Sequence, residues 1–518
     1  MSDARPPVPN RRRRAAGAFI ALTVLAVGVF LKAALDGARA YVFGYPLVIM
    51  DVTRASAALT VGPENSLVRV RAFPDARFRG VVRPNVDTLY TTAFIDMNDG
   101  PFVFETPPNA ARYELFPFMD AWTNVFASPG TRSTGTAGGR YLLVGPAWQG
   151  APPDGLTVLR APTRIVWLIG RTQTNGAADY PLVHRLQDAV ILRPLTPRAT
   201  PAWRPASERP APPVEQVRAM STEAFFTRLA ALMVDNPPTP ADAPMMRRLA
   251  ALGVAPGRPL RWNALDRWSA SLGRWIADRA VARRLKHPPN LVRGWLTPPS
   301  VLGRYGTNYE VRGAVAMVGL GANLPVDAMY PNARVDSRGD ALDGSHRYRI
   351  HFAVGALPPV NAFWSVTAYG ADEALLDTGT GRFAVGDRDA LRLGSGPVEP
   401  RVQEKGGPRA HGQPVGARFS IGGRCLHPEV ERAVGVGAQR VAVAHGEASG
   451  AGVEQRLLGA VGRHRPEGVH GRQRTDREVD AVPMTPIEGV AAQREAVPYG
   501  RRPAWGEGSR RPLSLRSG

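Results

Sequence analysis

The side chains best suited to chemistry lie in a few short blocks. PNVDTLYTTAFIDM at 84–97 brings Asn85, Asp87 and Tyr90 to the head of an alternating run, and MDAWTNVFASPGTR at 119–132 sets Asp120, Trp122, Asn124 and Arg132 beside a second one. GRTQTN at 170–175 adds Arg171 and Gln173, and GRYGTNYEVR at 303–312 adds Tyr305, Tyr309 and Arg312. Carboxylates with an aromatic platform and a guanidinium suit a cleft for a polar, sugar-like or carboxylated small molecule. Asp87 and Asp120 are the catalytic candidates, as a general acid and base whose pKa values burial would separate. Asn85, Tyr90, Trp122, Asn124, Arg132, Arg171, Tyr305 and Tyr309 are the ligand-binding candidates. A plainer reading stands beside this one: Asn85 and Asp87 are turn formers that bond local backbone amides.

Other chemistries find little material. The sequence has no G-x-S-x-G elbow, no H-E-x-x-H and no phosphate loop ending in G-K-[ST], and GLGANL lacks the third glycine of a dinucleotide fingerprint. Cys425 is the only cysteine, which excludes a disulfide framework and a thiolate metal cluster. Before residue 400 the histidines are His184, His287, His346 and His351. His346 and His351 are five apart across a strand start, so they face opposite ways. No metal or other cofactor is expected.

The net charge of +21 invites a nucleic-acid reading, but its distribution opposes one. Residues 1–14 hold five Arg and one Asp, and residues 401–518 hold 19 Arg and Lys against 12 acids, which leaves about +10 for nearly four hundred residues. No basic stripe interleaved with aromatics occurs there.

These blocks need elements to position them. RRRR at 11–14 precedes AAGAFIALTVLAVGVFL at 15–31, seventeen residues without a charge. A cleavable signal peptide ending at ARA (38–40) competes with an uncleaved anchor. The length of the apolar run and the charges at Lys32, Asp36 and Arg39 favour the anchor, with the arginines cytoplasmic and the bulk of the chain periplasmic. An exported soluble periplasmic protein is the alternative. YVFGYPLVIMDVTR (41–54) continues the helix. Period-two runs follow: PFVFETP turns Phe102 and Phe104 one way and Val103 and Glu105 the other, and RIVWLIGRTQ suits a strand buried on both faces. Asp179 and Pro181 open a helix whose inner face is Leu182, Leu186, Ala189 and Val190. After a Pro-rich linker come three helical runs, the first capped at Ser221 and the second ending at Gly253. RYRIHFAV and NAFWSVTAYG alternate again, so a second β domain begins near 300, with Trp364 a candidate pocket wall or core residue.

At GYPLVIMDVTR, PNVDTLYTTAFIDM, RYELFPFMDAWTNVFASPGTRSTGT and IVWLIGRTQTNGAADY the chain resembles domain-of-unknown-function family 1254. At GRYGTNYEVRGAVAMVGLGANLPVDAMYP, RYRIHF, LPPVNAFWSVTAYG and RFAVGDRD it resembles the companion family 1214. The resemblance covers about residues 41 to 392 and implies a bacterial, often exported protein of two β-rich domains joined by helices, with no reaction attached. The expected fold class is α+β, predominantly β: two β-sandwich or jelly-roll-like domains joined by a helical segment and preceded by a membrane helix. The boundaries are a basic cytoplasmic N-terminus at 1–14, the anchor at 15–40, the first domain at 41–195, a linker and helical connector at 196–299, an incomplete second domain at 300–395 and a basic tail at 396–518. Only Phe419, Tyr499 and Trp505 of the chain's aromatics lie in the last 118 residues, and the family's terminal strands are missing. Residues 396–518 therefore read as a slipped reading frame or, alternatively, a low-order tail. The expected partners are the membrane and a polar small molecule, with a homodimer left open and nucleic acid not expected. The expected function is to bind, and by extension to process, that molecule; the rival is a non-catalytic envelope module.

Overall fold

The computed structural model describes residues 11–389, apart from 81, 199–201, 289–290, 293, 337, 343–346, 352–357, 359 and 380, together with the backbone of three short strands farther on. Expectations for His346, for the end of RYRIHFAV and for most of the tail lie outside the described residues.

One helix, α1 (Arg11–Thr60), runs unbroken from the basic block into the core. Its two halves have opposite environments. Phe19, Ile20, Leu22, Val24, Leu25, Val27 and Val29 are exposed, whereas Tyr41, Phe43, Leu47, Val48, Ile49 and Val52 are buried. The chain therefore carries an N-terminal helix long and apolar enough to cross a membrane. The buried half is the axis of a largely helical core shared with α3 (Pro213–Ala219), α4 (Thr222–Asp235), α5 (Ala243–Ala251) and α6 (Ala264–Lys286). Local chemistry sets the ends of these helices. The Ser221 hydroxyl accepts from the Ala224 amide, Asn263 and Asp266 form a capping box, and Gly253 takes the left-handed conformation after α5. Helices α6 and α1 approach closely. A Cβ on Gly273 would lie 2.4 Å from the Ala34 carbonyl oxygen and 2.7 Å from the Ala38 nitrogen, so only glycine fits.

Strands β1 (Val68–Arg69), β2 (Thr88–Asp96), β4 (Glu114–Leu115), β5 (Phe118–Asp120), β6 (Val125–Ala127) and β9 (Ile165–Gln173) form a six-stranded sheet with β9 central. Strands β3 (Phe102–Thr106), β7 (Gly139–Val144), β8 (Thr157–Arg160) and β10 (Ile191–Pro194) form a second sheet. Phe102 and Phe104 of the second share one apolar layer with Ile95, Phe116, Phe118, Val166 and Leu168 of the first. The other face of the six-stranded sheet carries Phe94, Met119 and Ile169 against Met50 of α1. Alternation along β2, β3 and β9 produces this layering.

Two expectations need correction. In α2 (Tyr180–Ala189) the buried positions are Val183 and Gln187, and Leu182 is exposed. Gln187 is drawn inward because its amide donates to the carbonyls of Val70 and Tyr90, and that long-range pairing overrides the apolar pattern. The stretch after residue 300 opens with a helix, α7 (Tyr309–Val318), packed on α1, and not with β structure. Strands β11 (Leu291–Val292), β12 (Trp295–Leu296), β13 (Asn332–Ala333), β14 (Arg347–His351), β15 (Trp364–Tyr369) and β16 (Ala384–Gly386) flank it. Trp364 lies in an apolar cluster with Trp295, Ile350 and Val366, as a core residue. The backbone strands β17 (Arg401–Val402), β18 (Arg418–Gly423) and β19 (Ala491–Glu495) pair with β14, with β13 and β15, and with β14 respectively. The described residues are thus mixed α and β, with about 37% helix and 19% strand, so helix outweighs strand where mainly β was expected.

Candidate functional site

The block at 84–97 is explained by turn chemistry and by a tie to the second half of the chain. The Asn85 amide donates to the Thr88 carbonyl (2.9 Å) and hydroxyl (2.6 Å), and its oxygen accepts from the Asp87 amide (2.9 Å). Asp87 is buried, accepts from the Ser365 hydroxyl at 2.8 Å and pairs with Arg388 at 2.6 Å. Tyr90 faces Arg171 across β2 and β9, and the guanidinium lies 5.3 Å from its ring. Arg171 also donates to the Gly321 carbonyl, at 3.4 Å. Arg132 pairs with Asp327 at 2.5 Å, and Asp327 accepts from Ser128 on its other oxygen.

The two acids proposed as partners are far apart. Thr174, just past β9, donates its amide to the Asp87 carbonyl, whereas Asp120 is in register with Val166 near the other end of that strand. Eight residues at about 3.3 Å each put roughly 26 Å between those levels. The fold does not bring Asp87 and Asp120 together as a general acid and base.

The block at 119–132 does assemble a cluster. Chain reversal after β5 is tight: the Asp120 amide donates to the Asn124 carbonyl, and Thr123 takes a φ of +70°. A β-branched residue in that region costs on the order of 1–3 kcal/mol, a strain that concentrates at functional sites. The Asn124 backbone and side-chain amides both donate to the Asp120 carboxylate, at 2.8 and 3.0 Å. The Asn124 side-chain oxygen faces the Tyr305 amide at 3.4 Å. The Trp122 indole donates to the Asn236 carbonyl, which fixes the plane of its ring.

Arg312 of α7 enters beside this turn and is only 3% exposed. Its guanidinium carbon is 5.3 Å from the rings of Trp122 and Tyr309 and 5.4 Å from that of Phe43. The Tyr309 hydroxyl in turn donates to Asp242 at 2.8 Å. The approach of α7 depends on two residues. Pro46 has no N–H to offer the Val42 carbonyl one turn back in α1. Gly313 packs against that carbonyl so closely that a Cβ would lie 2.8 Å from it. Nε and Nη2 of Arg312 have no hydrogen-bond partner among the described residues. The same holds for Nε and Nη1 of Arg171 and for both side-chain polar atoms of Asn323.

Burial drives the electrostatics. It pushes the Asp120 carboxyl up to about 6, against lowering by the Asn124 hydrogen bonds and the Arg312 charge. Burial likewise pushes Tyr305 and Tyr309 up to about 12 and lowers the pKa of Arg312. Asp120 should therefore make stability fall as pH rises. Its folded pKa of about 6 lies above the ordinary 3.8, so native chains hold a proton that unfolded chains lose between those values. The resulting stabilisation is full below the lower value and gone above the upper one, about 3 kcal/mol in all. Urea midpoints at pH 4.5 and 7.5 should show this slope in the wild type and a flatter one in Asp120→Asn; an equal slope in both would clear Asp120.

Sequence reading placed Asp120, Trp122, Asn124, Tyr305 and Tyr309 on its candidate roll, and the fold gathers them. It undervalued Arg312 and did not name Phe43 or Asp242. The available signal was an arginine inside the otherwise apolar run VRGAVAMV. Among the described residues, no group of three or more His, Cys, Asp or Glu could hold a metal ion. A surface depression lined by Glu105, Pro107, Pro108, Gly138, Arg140 and Ala189 includes none of these residues.

Residues 64–194 match the family described as protein of unknown function DUF1254, and residues 327–413 match the one described as protein of unknown function DUF1214. The two matches stand in the expected N-terminal and C-terminal order. The DUF1214 match runs past residue 395, where the composition changes. Among solved structures, the VPA0106 protein from Vibrio parahaemolyticus is similar at 22% identity, over 77% of this chain and 96% of that one, with a TM-score of 0.57. An uncharacterised protein from Burkholderia cenocepacia aligns at 14% identity over 78% and 94%, with a TM-score of 0.37. The likeness to the Vibrio protein concerns the fold alone. No curated protein matches the chain. Within this framework Asp87 and Arg388 tie the DUF1254 segment to the DUF1214 segment. Arg312 belongs to neither match, but lies between them and reaches back to the DUF1254 turn.

Proposed function

We propose that the protein is held in the bacterial inner membrane by α1, with its bulk in the periplasm, and binds a small anionic molecule, such as a carboxylate or sugar acid, at Arg312. One observation carries the reading: a buried guanidinium, held among three aromatic rings, keeps two nitrogens without a hydrogen-bond partner among the described residues. An unmet buried donor costs about 1–3 kcal/mol, and more when charged, so an anion that accepts from it is favoured. Asp120, with a pKa near neutrality, supplies a group that can give or take a proton beside the anion. Processing as well as binding would rest on Asp120 alone, because Asp87 is engaged elsewhere. The arginine block ahead of the apolar half of α1 supports the orientation. The shared layer of the two DUF1254 sheets supports a sandwich-like first domain. A slipped frame is proposed for the residues beyond the DUF1214 match, which ends at 413, and sequencing the locus across codons 385–430 tests it.

The test of binding is a thermal-shift series on the full chain in nanodiscs with small carboxylates, sugar acids and phosphate esters. A ligand at 100 times its Kd should add about 2.7 kcal/mol. Arg312→Met should abolish that increment, whereas Arg171→Met should leave it. If no anion raises the melting temperature, or if Arg312→Met responds like the wild type, the reading fails. The rival, a non-catalytic envelope module, draws support from the same rings, since a guanidinium stacked on three aromatics also clamps α7 to α1 and the DUF1254 turn. It expects Arg312→Met to lose stability without any change in ligand response.

A further inference from the structure

Helix α6 bears an exposed apolar stripe that no part of its own core covers. Leu265, Trp268 and Trp275 follow a spacing of three and seven, and are 57%, 69% and 54% exposed. Arg279, one turn on, lies 4.8 Å from the Trp275 ring. Two exposed tryptophans on one helix face are unusual on a surface bathed only by water.

The packing of α6 on α1 says what this stripe meets. Ala270 lies against Gly37, Gly273 against Ala34 and Ala38, and the Arg274 guanidinium against the Tyr41 ring. Arg274 lies at Tyr41 and Asp278 acts on Tyr45, while Trp262, just before α6, bonds Leu252 at the end of α5, whose Arg248 reaches Asp36; the two helices therefore run parallel, with an offset near 236. Leu265 then falls level with about Val29, and Trp268 with Lys32. At 1.5 Å per residue, Leu265 is about 12 Å from Gly273 toward the exposed apolar end of α1. That end, Ala15 to Leu31, spans about 26 Å, close to a hydrocarbon core. Lys32 and Arg39, with side chains 75% and 58% exposed, mark its outer edge.

We propose that the Leu265–Trp268 end of the exposed α6 face rests in the headgroup layer of the bilayer that α1 spans, with the phospholipid surface as its partner and Trp275 about 10 Å farther out. Tryptophan suits this layer, because its ring is amphipathic and its N–H remains near water. Lys32, level with Trp268, supplies positive charge for lipid phosphates there, and Arg39 lies two turns farther out. The inference rests on α1 being a membrane span.

The experiment uses full-length protein in nanodiscs of phosphatidylethanolamine and phosphatidylglycerol, in a Cys425→Ser background. An environment-sensitive fluorophore is attached singly through Val24→Cys, Leu265→Cys, Trp268→Cys or Leu182→Cys. Labels at 265 and 268 should be quenched several-fold more than the label at 182 by lipids spin-labelled near the headgroup, and the label at 24 by lipids labelled deep in the chain. If 24 is quenched and 265 and 268 behave like 182, the headgroup placement is overturned and the span stands. If 24 is not quenched, the span fails and the placement with it. Labels at 265 and 268 that are shielded from water but unquenched by lipid would indicate a protein partner, and overturn the proposal.

Discussion

Gly273→Leu is expected to cost at least about 3 kcal/mol, because the added side chain meets backbone and not a side chain that can move aside. The obstacles are the Ala34 carbonyl and the Ala38 nitrogen of α1, both closer than 3 Å to the first added carbon. Relief requires α6 to lift away from α1, and the two helices share the largest apolar cluster. The control is Gly28→Leu, on the exposed half of α1, where nothing lies within 4 Å of the added carbon. Urea denaturation in nanodiscs, followed by tryptophan fluorescence, should give a much lower midpoint for the first variant and an unchanged one for the second. Equal midpoints would mean that α6 does not pack on α1 as described.

Asp87→Ala is expected to destabilise by about 3–5 kcal/mol, the usual outcome when one member of a buried ion pair is removed and its partner is left uncompensated. The partner is Arg388, whose side chain is 16% exposed, and the Ser365 hydroxyl loses its acceptor as well. Adding Arg388→Met should restore much of the loss, since two apolar groups replace one stranded charge. Limited proteolysis would report the same event as faster cutting between residues 310 and 390. A silent Asp87→Ala would show that the pair contributes nothing, and would return Asp87 to the list of candidates for chemistry.

The contrast between Asp87 and Asp120 marks where sequence reasoning stopped. Both acids precede or end a strand and both sit near polar and aromatic neighbours, so local pattern gives them equal standing. Their roles diverge through contacts at a distance: Asp87 meets Ser365 and Arg388, some three hundred residues on, and Asp120 meets Asn124 and the field of Arg312. Asn85 was half legible, because an Asx-type turn is a short-range arrangement that its own tripeptide determines. Strands β2, β3 and β9 and the capped ends at Ser221 and Gly253 were legible for the same reason. The inner face of α2 was not, because a glutamine takes the buried place by bonding two carbonyls of another segment. Nor was α7, whose short apolar run has the composition of a strand and becomes a helix in the space that Pro46 and Gly313 leave against α1.

The unbroken course of α1 also bears on how the chain is made. The centre of the core leaves the ribosome long before the groups that close around it: Arg248 reaches Asp36 across 212 positions of sequence. Tyr41, Phe43 and Leu47 must wait, uncovered, until translation has passed residue 270. Synthesis is thus expected to expose a sticky intermediate for many seconds at about 5–20 residues per second, and a chaperone that covers it becomes part of what this architecture requires.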